Sequence, residues 1–441
     1  MAATGLVLLV PLLQVSAMLW VIQNHTFTAP WWDEWYTAFM VKRFEQGTLT
    51  LHDLWAFHNF THRIVIPRIV DLLVIELTHW NRRVELIVDL ACGVATATII
   101  VWCLWVTAHS RRVVLALVVP LSLLLFSMAY YDDWLLPFQL QFLTTTLGVA
   151  IAMAAVIRRP VGWGGWAVAV AGALIATLSS AAGLMAWCAF LPSLYQAGRR
   201  RLLAWCAAGV ITWVAYLHGF VQTGAHPSWH DLRDFVLANL GAPVAASDFF
   251  LAEHVGLASI LVLGAFLAVY WYLHRSLWNL VVWLELALFA LATAVVMGAG
   301  RIYLGGVWQA LDTRYLIFPA LWWVALLVVI GVTLRDLLQQ GDALGRVTRL
   351  RHLPVSRLVI GGGTLAVLAI TIGGLQTDIA GFRTGIAWQD DLRAHQGCVT
   401  HFETATDRCL SIWYWDKPAF LRTAAYLRAH HLANFSGTDQ P

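Results

Sequence analysis

Residues 315–333 read Tyr-Leu-Ile-Phe-Pro-Ala-Leu-Trp-Trp-Val-Ala-Leu-Leu-Val-Val-Ile-Gly-Val-Thr, a run without a single charge. A helix needs about 20 such residues to cross the hydrocarbon core of a bilayer. Asp312-Thr313-Arg314 precedes the run and Leu334-Arg335-Asp336 follows it, so the apolar rod has charged ends. Similar windows recur at about 4–23, 84–106, 113–129, 135–157, 163–178, 183–197, 202–220, 255–273, 278–298 and 358–376. With the first they predict about eleven transmembrane helices. The opening window lacks a basic n-region and a clear small-residue cleavage site, so it reads as a span and not as a signal peptide.

The whole chain agrees. Of 441 residues 60% are hydrophobic and 12% charged, against about a quarter charged in a soluble domain. This composition predicts an all-α polytopic membrane protein and excludes a soluble enzyme, a disordered scaffold and a disulfide-stapled secreted module. The net charge of +3 is small, and only Lys42 and Lys417 among 28 basic residues are lysines. No basic tract reads as a nucleic-acid surface.

Arginines orient the spans. Arg111-Arg112, Arg158-Arg159, Arg199-Arg200-Arg201, His274-Arg275 and the stretch from Arg335 to Arg357 fall in alternate loops that hold only Asp336 and Asp342 as acids. Those loops are expected on the cytoplasmic side, with the N-terminus inside and the C-terminus outside. The segment from Ile64 to Trp80 is apolar but carries Arg68, Asp71 and Glu76. Each is costly at the bilayer centre, and a span there would invert every later loop. It is expected as an interfacial or re-entrant helix. A membrane domain of residues 1–376 and a small outer tail of 377–441 follow.

The outer face then collects the chemistry: a first loop of about 24–83, a turn at Tyr130–Trp134, loops at about 221–254 and 300–314, and the tail. Four cysteines (Cys92, Cys103, Cys188, Cys206) lie inside expected spans as small core residues. Cys398 and Cys409 lie in the tail, where a disulfide suits an extracytoplasmic compartment. No Cys/His zinc spacing and no internal repeat is visible.

Four constellations stand out. Trp31-Trp32-Asp33-Glu34-Trp35 sets two carboxylates among interfacial indoles. Neighbouring carboxylates can make a general base or, with His58, hold a divalent metal such as Mg or Mn; they can also be two solvated loop acids. His58-Asn59-Phe60-Thr61-His62-Arg63, followed by Arg68, could bind phosphate through bidentate arginine, or merely touch lipid headgroups. Gly300-Arg301 with Asp312-Thr313-Arg314-Tyr315 could clamp a phosphate, or anchor a span through an Arg314–Asp312 pair. Tyr131-Asp132-Asp133-Trp134 offers a further acidic site for an acceptor, or a polar turn. Glu285 and Asp89 fall within spans and are functional suspects on that ground alone. Three N-x-S/T sequons, at Asn24, Asn59 and Asn434, read as chance. No phosphate-binding loop, GxGxxG, GxSxG or HExxH occurs, which argues against a nucleotide-driven pump and against hydrolases built on those motifs.

The acidic motif in a long first outer loop, the interfacial helices, the many spans and the outer tail resemble the GT-C superfamily of membrane glycosyltransferases. More narrowly, Asp33-Glu34-Trp35, then His58-Asn59-Phe60-Thr61-His62-Arg63, then Arg314-Tyr315 resemble bacterial GT-C-like proteins with D-E-W, H-N-E-H-R-like and S-R-Y-like motifs. This chain has Phe60-Thr61 where the middle motif has an acid, and Thr313 where the last has serine. The resemblance implies an inverting transferase in the bacterial cytoplasmic membrane. It implies transfer on the outer face from a polyprenyl-phosphate-linked sugar to a glycan, lipid or protein acceptor. It gives Asp33 the place of the base, with Glu34 orienting the acceptor or aiding a metal. His62, Arg63, Arg301, Arg314 and Tyr315 would hold the donor phosphate, and His58, Asp132 and Asp133 would support the acceptor. The competing readings are a transporter or flippase of a lipid-linked glycan and a non-catalytic assembly subunit. A transporter is expected to show inverted repeats and mid-membrane polar groups, whereas here polar groups gather at the outer edge.

Overall fold

The computed structural model describes residues 2–436 apart from 60–61, 159, 222–223, 225, 246–247 and 340–353. Among them the fold is helical, and the one strand-like pairing is an isolated bridge between His58 and His62. Eight helices are long and apolar enough to cross a membrane: Val7–His25, Arg82–Ala108, Arg111–Leu135, Pro137–Val156, Phe249–His274, Trp278–Leu311, Ile317–Leu338 and Arg357–Thr400. The chain is a multi-pass membrane protein.

Three of the eleven windows take other forms. Trp163–Ser179 is an apolar helix of 17 residues. The window at 183–197 breaks into Ala181–Gly183, Leu184–Ala189 and Leu191–Gln196, because Pro192 cannot donate a backbone N–H within a continuous helix. Arg199–Leu217 is 19 residues long but opens on three arginines. The expected outer loop at 221–254 holds the helix Trp229–Ala245, whose Phe235, Ala238, Asn239 and Leu240 are buried. Its polar first turn lowers the mean hydropathy and hides a packing face made of small residues. A Cβ on Gly241 would lie 1.9 Å from the Ala252 carbonyl oxygen, so this helix and Phe249–His274 meet backbone to backbone.

Local chemistry sets the ends. Asn81 Oδ1 accepts from the amides of Arg83 and Val84 and caps the Arg82–Ala108 helix. Asp248 caps Phe249–His274 through the Leu251 amide. Val65–Thr78 is 14 residues, about 21 Å at 1.5 Å per residue, too short for a core of about 30 Å. It buries Arg68 and Asp71 and exposes Leu73 and Leu77.

The last helix, Pro354–His395, runs unbroken for 42 residues, about 63 Å. It therefore continues through residue 376, where hydropathy falls. No proline interrupts this half, and Asp378 accepts the Met128 amide at 2.8 Å. Its end carries the tail. Cys398 and Cys409 are disulfide-bonded, with Cα atoms 5.6 Å apart. The tail helix Lys417–Ala429 packs on the first-loop helix Glu34–Glu45, with the rings of Trp35 and Phe420 4.5 Å apart. Phe27, Trp35, Trp413 and Phe420 centre this second core outside the spans.

Candidate functional site

The D-E-W segment opens the Glu34–Glu45 helix, and its two acids part company there. Trp32 has φ +46°, a left-handed conformation uncommon for a bulky side chain. Its amide donates to the Trp413 carbonyl at 2.9 Å, which fixes the turn. Glu34 points inward: Oε2 accepts the Trp31 amide at 2.7 Å and Arg82 Nη1 at 2.5 Å. Arg82 is buried, with its guanidinium 4.0 Å from the Phe27 ring centroid.

Asp33 points outward and keeps 34% of its side-chain surface exposed. Its Oδ1 accepts from Asn59 Nδ2 at 3.2 Å and faces His58 Nε2 at 3.5 Å. Burial pushes this carboxyl up. The His58 hydrogen bond and charge, Asn59 and the more distant Arg314 outweigh it, so Asp33 sits below the usual carboxylate range.

His58 is buried between rings, with Tyr36 at 4.9 Å, Phe138 at 4.8 Å and His62 at 5.4 Å. Its amide donates to the His62 carbonyl at 2.7 Å, and the two imidazoles sit side by side at a tilt of 50°. Burial, reinforced by His58 and Arg301, holds His62 well below the ordinary histidine range. His62 is neutral at pH 7 and can donate one ring N–H.

Two cavities flank this wall. A polar one of about 340 Å³ is lined by Asp33, Glu34, Asp132, Gln139, Arg314 and Trp31, among others. An apolar one of about 320 Å³ lies between helices and reaches His62, Arg301 and Tyr315 at its polar end. The partition is made of sequence neighbours: Arg314 lines one cavity and Tyr315 the other, Phe138 one and Phe142 the other. The buried Tyr315 ring lies between two guanidinium groups, Arg301 at 5.6 Å and Arg314 at 5.4 Å.

The candidate cations thus differ. Arg301 has no hydrogen-bond or carboxylate partner among the described residues. Arg314 is held by Asp312 through Nε to Oδ1 at 2.9 Å and Nη2 to Oδ2 at 2.8 Å. That carboxylate keeps it firmly protonated against burial, so the anchoring pair exists, yet Arg314 still faces the polar cavity. Arg63 is engaged on every side. Nε donates to the Tyr216 carbonyl at 2.8 Å, Nη2 to the His218 carbonyl at 2.6 Å and Nη1 to the Trp55 carbonyl, and the Phe57 ring lies 3.8 Å away. Arg68 likewise serves the carbonyls of Leu54 and Ala56, and burial lowers it to about 10. Both brace the first loop through backbone carbonyls.

Asp132 accepts from Thr313 Oγ1 at 2.6 Å and faces the polar cavity. Asp133 is fully buried and does not line it. Glu285 is buried against Ser193, accepting its amide and hydroxyl. Among the described residues no three His, Cys, Asp or Glu side chains converge to hold a metal. Of the anticipated ligands, Glu34 is paired with Arg82, while Asp33 and His58 face each other at 3.5 Å. Sequence reasoning missed Arg82 and Gln139 as parts of the site. Arg82 opens a span next to a capping Asn81, a place where basic residues ordinarily meet lipid headgroups, so its buried role carried no signal.

No family model and no curated protein matches this chain. Among solved structures, the crystal structure of ArnT from Cupriavidus metallidurans bound to undecaprenyl phosphate aligns over 96% of this chain and 88% of its own. The identity is 12% and the TM-score 0.47, too little to transfer a role from one chain to the other.

Proposed function

We propose that this protein is a membrane glycosyltransferase that moves a sugar from a polyprenyl-phosphate donor to a hydroxyl acceptor on the Asp33 side of the membrane. The observation that carries this reading is the shared wall: an ionised Asp33 in a polar cavity, backed by an apolar cavity that ends on Arg301 and on His62. An amphiphilic donor needs both environments within one sugar's reach of each other.

The chemistry divides along that wall. Asp33 takes the proton from the acceptor oxygen as that oxygen bonds to the anomeric carbon from the face opposite the leaving group. The C1–O bond to phosphate breaks, and the polyprenyl phosphate leaves with the electron pair. Arg301 and the His62 N–H meet the charge that develops on the phosphate oxygens. The prenyl chain lies in the apolar cavity among Met185, Trp213, Met297 and Phe318. Asp132 and Arg314 offer an acceptor and a donor to the hydroxyls of the incoming molecule. Glu34, paired with Arg82 and accepting the Trp31 amide, fixes the turn that presents Asp33.

The test is genetic and chemical. The gene is deleted in its host, restored as wild type or Asp33→Asn, and the envelope glycans are weighed by mass spectrometry. Loss of one sugar mass in the deletion and in Asp33→Asn, restored by wild type, is the expected result. Full restoration by Asp33→Asn removes Asp33 as the base and with it the transferase reading.

A further inference from the structure

A second polar cavity, of about 450 Å³, lies at the opposite end of the bundle, where the Arg82–Ala108 and Leu140–Val156 helices end. His109, Arg158, Asn279, Trp278 and Arg335 line it, with Val106, Ile157 and Val282 as its apolar part. Its charges are unequally compensated. Arg335 is held by Asp336 through Nε at 2.7 Å and also serves the Ala108 carbonyl. The buried Asp336 takes His274 Nε2 as well, at 2.8 Å. Arg158 has no carboxylate or carbonyl partner among the described residues; its guanidinium lies 5.4 Å from the Trp102 ring centroid. His109 ends its helix in the left-handed conformation at φ +45° and is exposed, also without a hydrogen-bond partner among the described residues.

Exposed aromatic residues stand beside the cavity. Trp102, Trp105, Val106 and His109 stand at helical spacings of three and four and share one face. Trp102 and Trp105 are 38% and 55% exposed, and Trp278 on the far wall is 43% exposed. A ligand here meets cationic groups at the bundle end and an indole-lined apolar track leading away from them. That is the profile of a phosphate-bearing lipid and not of a free anion. The geometry points to a binding site for an anionic glycerophospholipid, its headgroup phosphate held by Arg158 and His109 and one acyl chain laid along Trp102 and Trp105. Arg111, Arg112 and Arg275 surround the same end, and such clusters favour the anionic cytoplasmic leaflet. The site is separate from Asp33 and does not depend on the reaction proposed above.

The full chain, purified in detergent, is tested by native mass spectrometry with phosphatidylglycerol, phosphatidylcholine or inorganic phosphate as the probe. Wild type is expected to retain phosphatidylglycerol over phosphatidylcholine. Arg158→Ala is expected to cut that retention about fivefold, the effect of one surface cation on an anionic lipid. Arg158→Lys preserves the charge and is expected to restore it, which separates the headgroup contact from a folding defect; Arg43→Ala, on the far side, is expected to leave it unchanged. Equal retention of both lipids, or wild-type retention of phosphatidylglycerol by the Arg158→Ala/His109→Ala double variant, overturns the site. Complete displacement by millimolar inorganic phosphate overturns the lipid assignment and leaves a simple anion site.

Discussion

Glu34 Oε2 and Arg82 Nη1 lie 2.5 Å apart with 6% and 2% of their side chains exposed, a salt bridge closed off from water. It joins the first residue of the Glu34–Glu45 helix to the first residue of the Arg82–Ala108 helix. Because consecutive residues at a helix start point in different directions, fixing Glu34 inward turns Asp33 outward. The two adjacent acids both line the polar cavity but differ in partners: Arg82 holds Glu34, while His58 and Asn59 face Asp33.

Removing one member of such a pair strands a buried charge, which costs about 3–5 kcal/mol. Glu34→Ala is expected to lower the thermal unfolding temperature in detergent markedly, followed by tryptophan fluorescence. Asp33→Asn, at a partly exposed position, is expected to unfold like wild type. Similar unfolding for Glu34→Ala and wild type removes the structural role of the pair.

Asp33 carries a pH signature. Its folded carboxyl lies below the usual range, so it contributes stability that is present above the unfolded value near 3.8 and lost as pH falls through the folded one. The acid limb of transfer activity is accordingly expected below the ordinary aspartate range. In His58→Phe the lowering contact is gone while burial still opposes ionisation, so the limb is expected to move upward. A pH profile measured in isolated membranes decides, and an unmoved limb shows that His58 does not tune Asp33.

Arg63 is a natural candidate for phosphate by its place in the H-N-x-x-H-R segment, but each of its three nitrogens donates to a carbonyl, of Trp55, Tyr216 or His218. Arg63→Ala is expected to loosen the first loop and increase limited proteolysis within 50–65. An unchanged cleavage pattern together with a selective loss of donor use reverses this and returns Arg63 to the phosphate.

The membrane class, the helical fold and most spans were legible because apolar length is a one-dimensional signal. Trp229–Ala245 was not, since Asp231, Arg233 and Asp234 lower its hydropathy while Phe235, Ala238 and Leu240 bury its other face. In the site, Asp33, His58, His62, Arg301 and Arg314 were visible as residue types in segments between the apolar windows. Their division of labour was not. Whether an arginine faces carbonyls, like Arg63, a carboxylate, like Arg314, or a cavity, like Arg301, depends on chain segments more than 150 positions apart meeting, as Arg63 meets Tyr216. Spacing along the chain carries no record of that.

The contrast between Arg301 and Arg314 gives the sharpest test of the shared wall. Both flank Tyr315, but Arg314 is neutralised by Asp312 on the polar side while Arg301 reaches the apolar cavity without a carboxylate. Arg301→Ala removes no hydrogen bond among the described residues, so its unfolding temperature is expected to match wild type, while binding of a polyprenyl phosphate falls by about tenfold or more, in keeping with about 1.5–3 kcal/mol for a hydrogen bond to a charged group. Arg314→Ala leaves Asp312 without its partner beside Asp132. It is expected to reduce stability modestly, within about 1 kcal/mol because Arg314 is 41% exposed, and to weaken the acceptor more than the lipid. Binding of a fluorescent prenyl phosphate to each purified variant reads the difference directly. If both variants lose the lipid equally, the two guanidinium groups act on one phosphate across the Tyr315 ring, and the wall does not divide donor from acceptor.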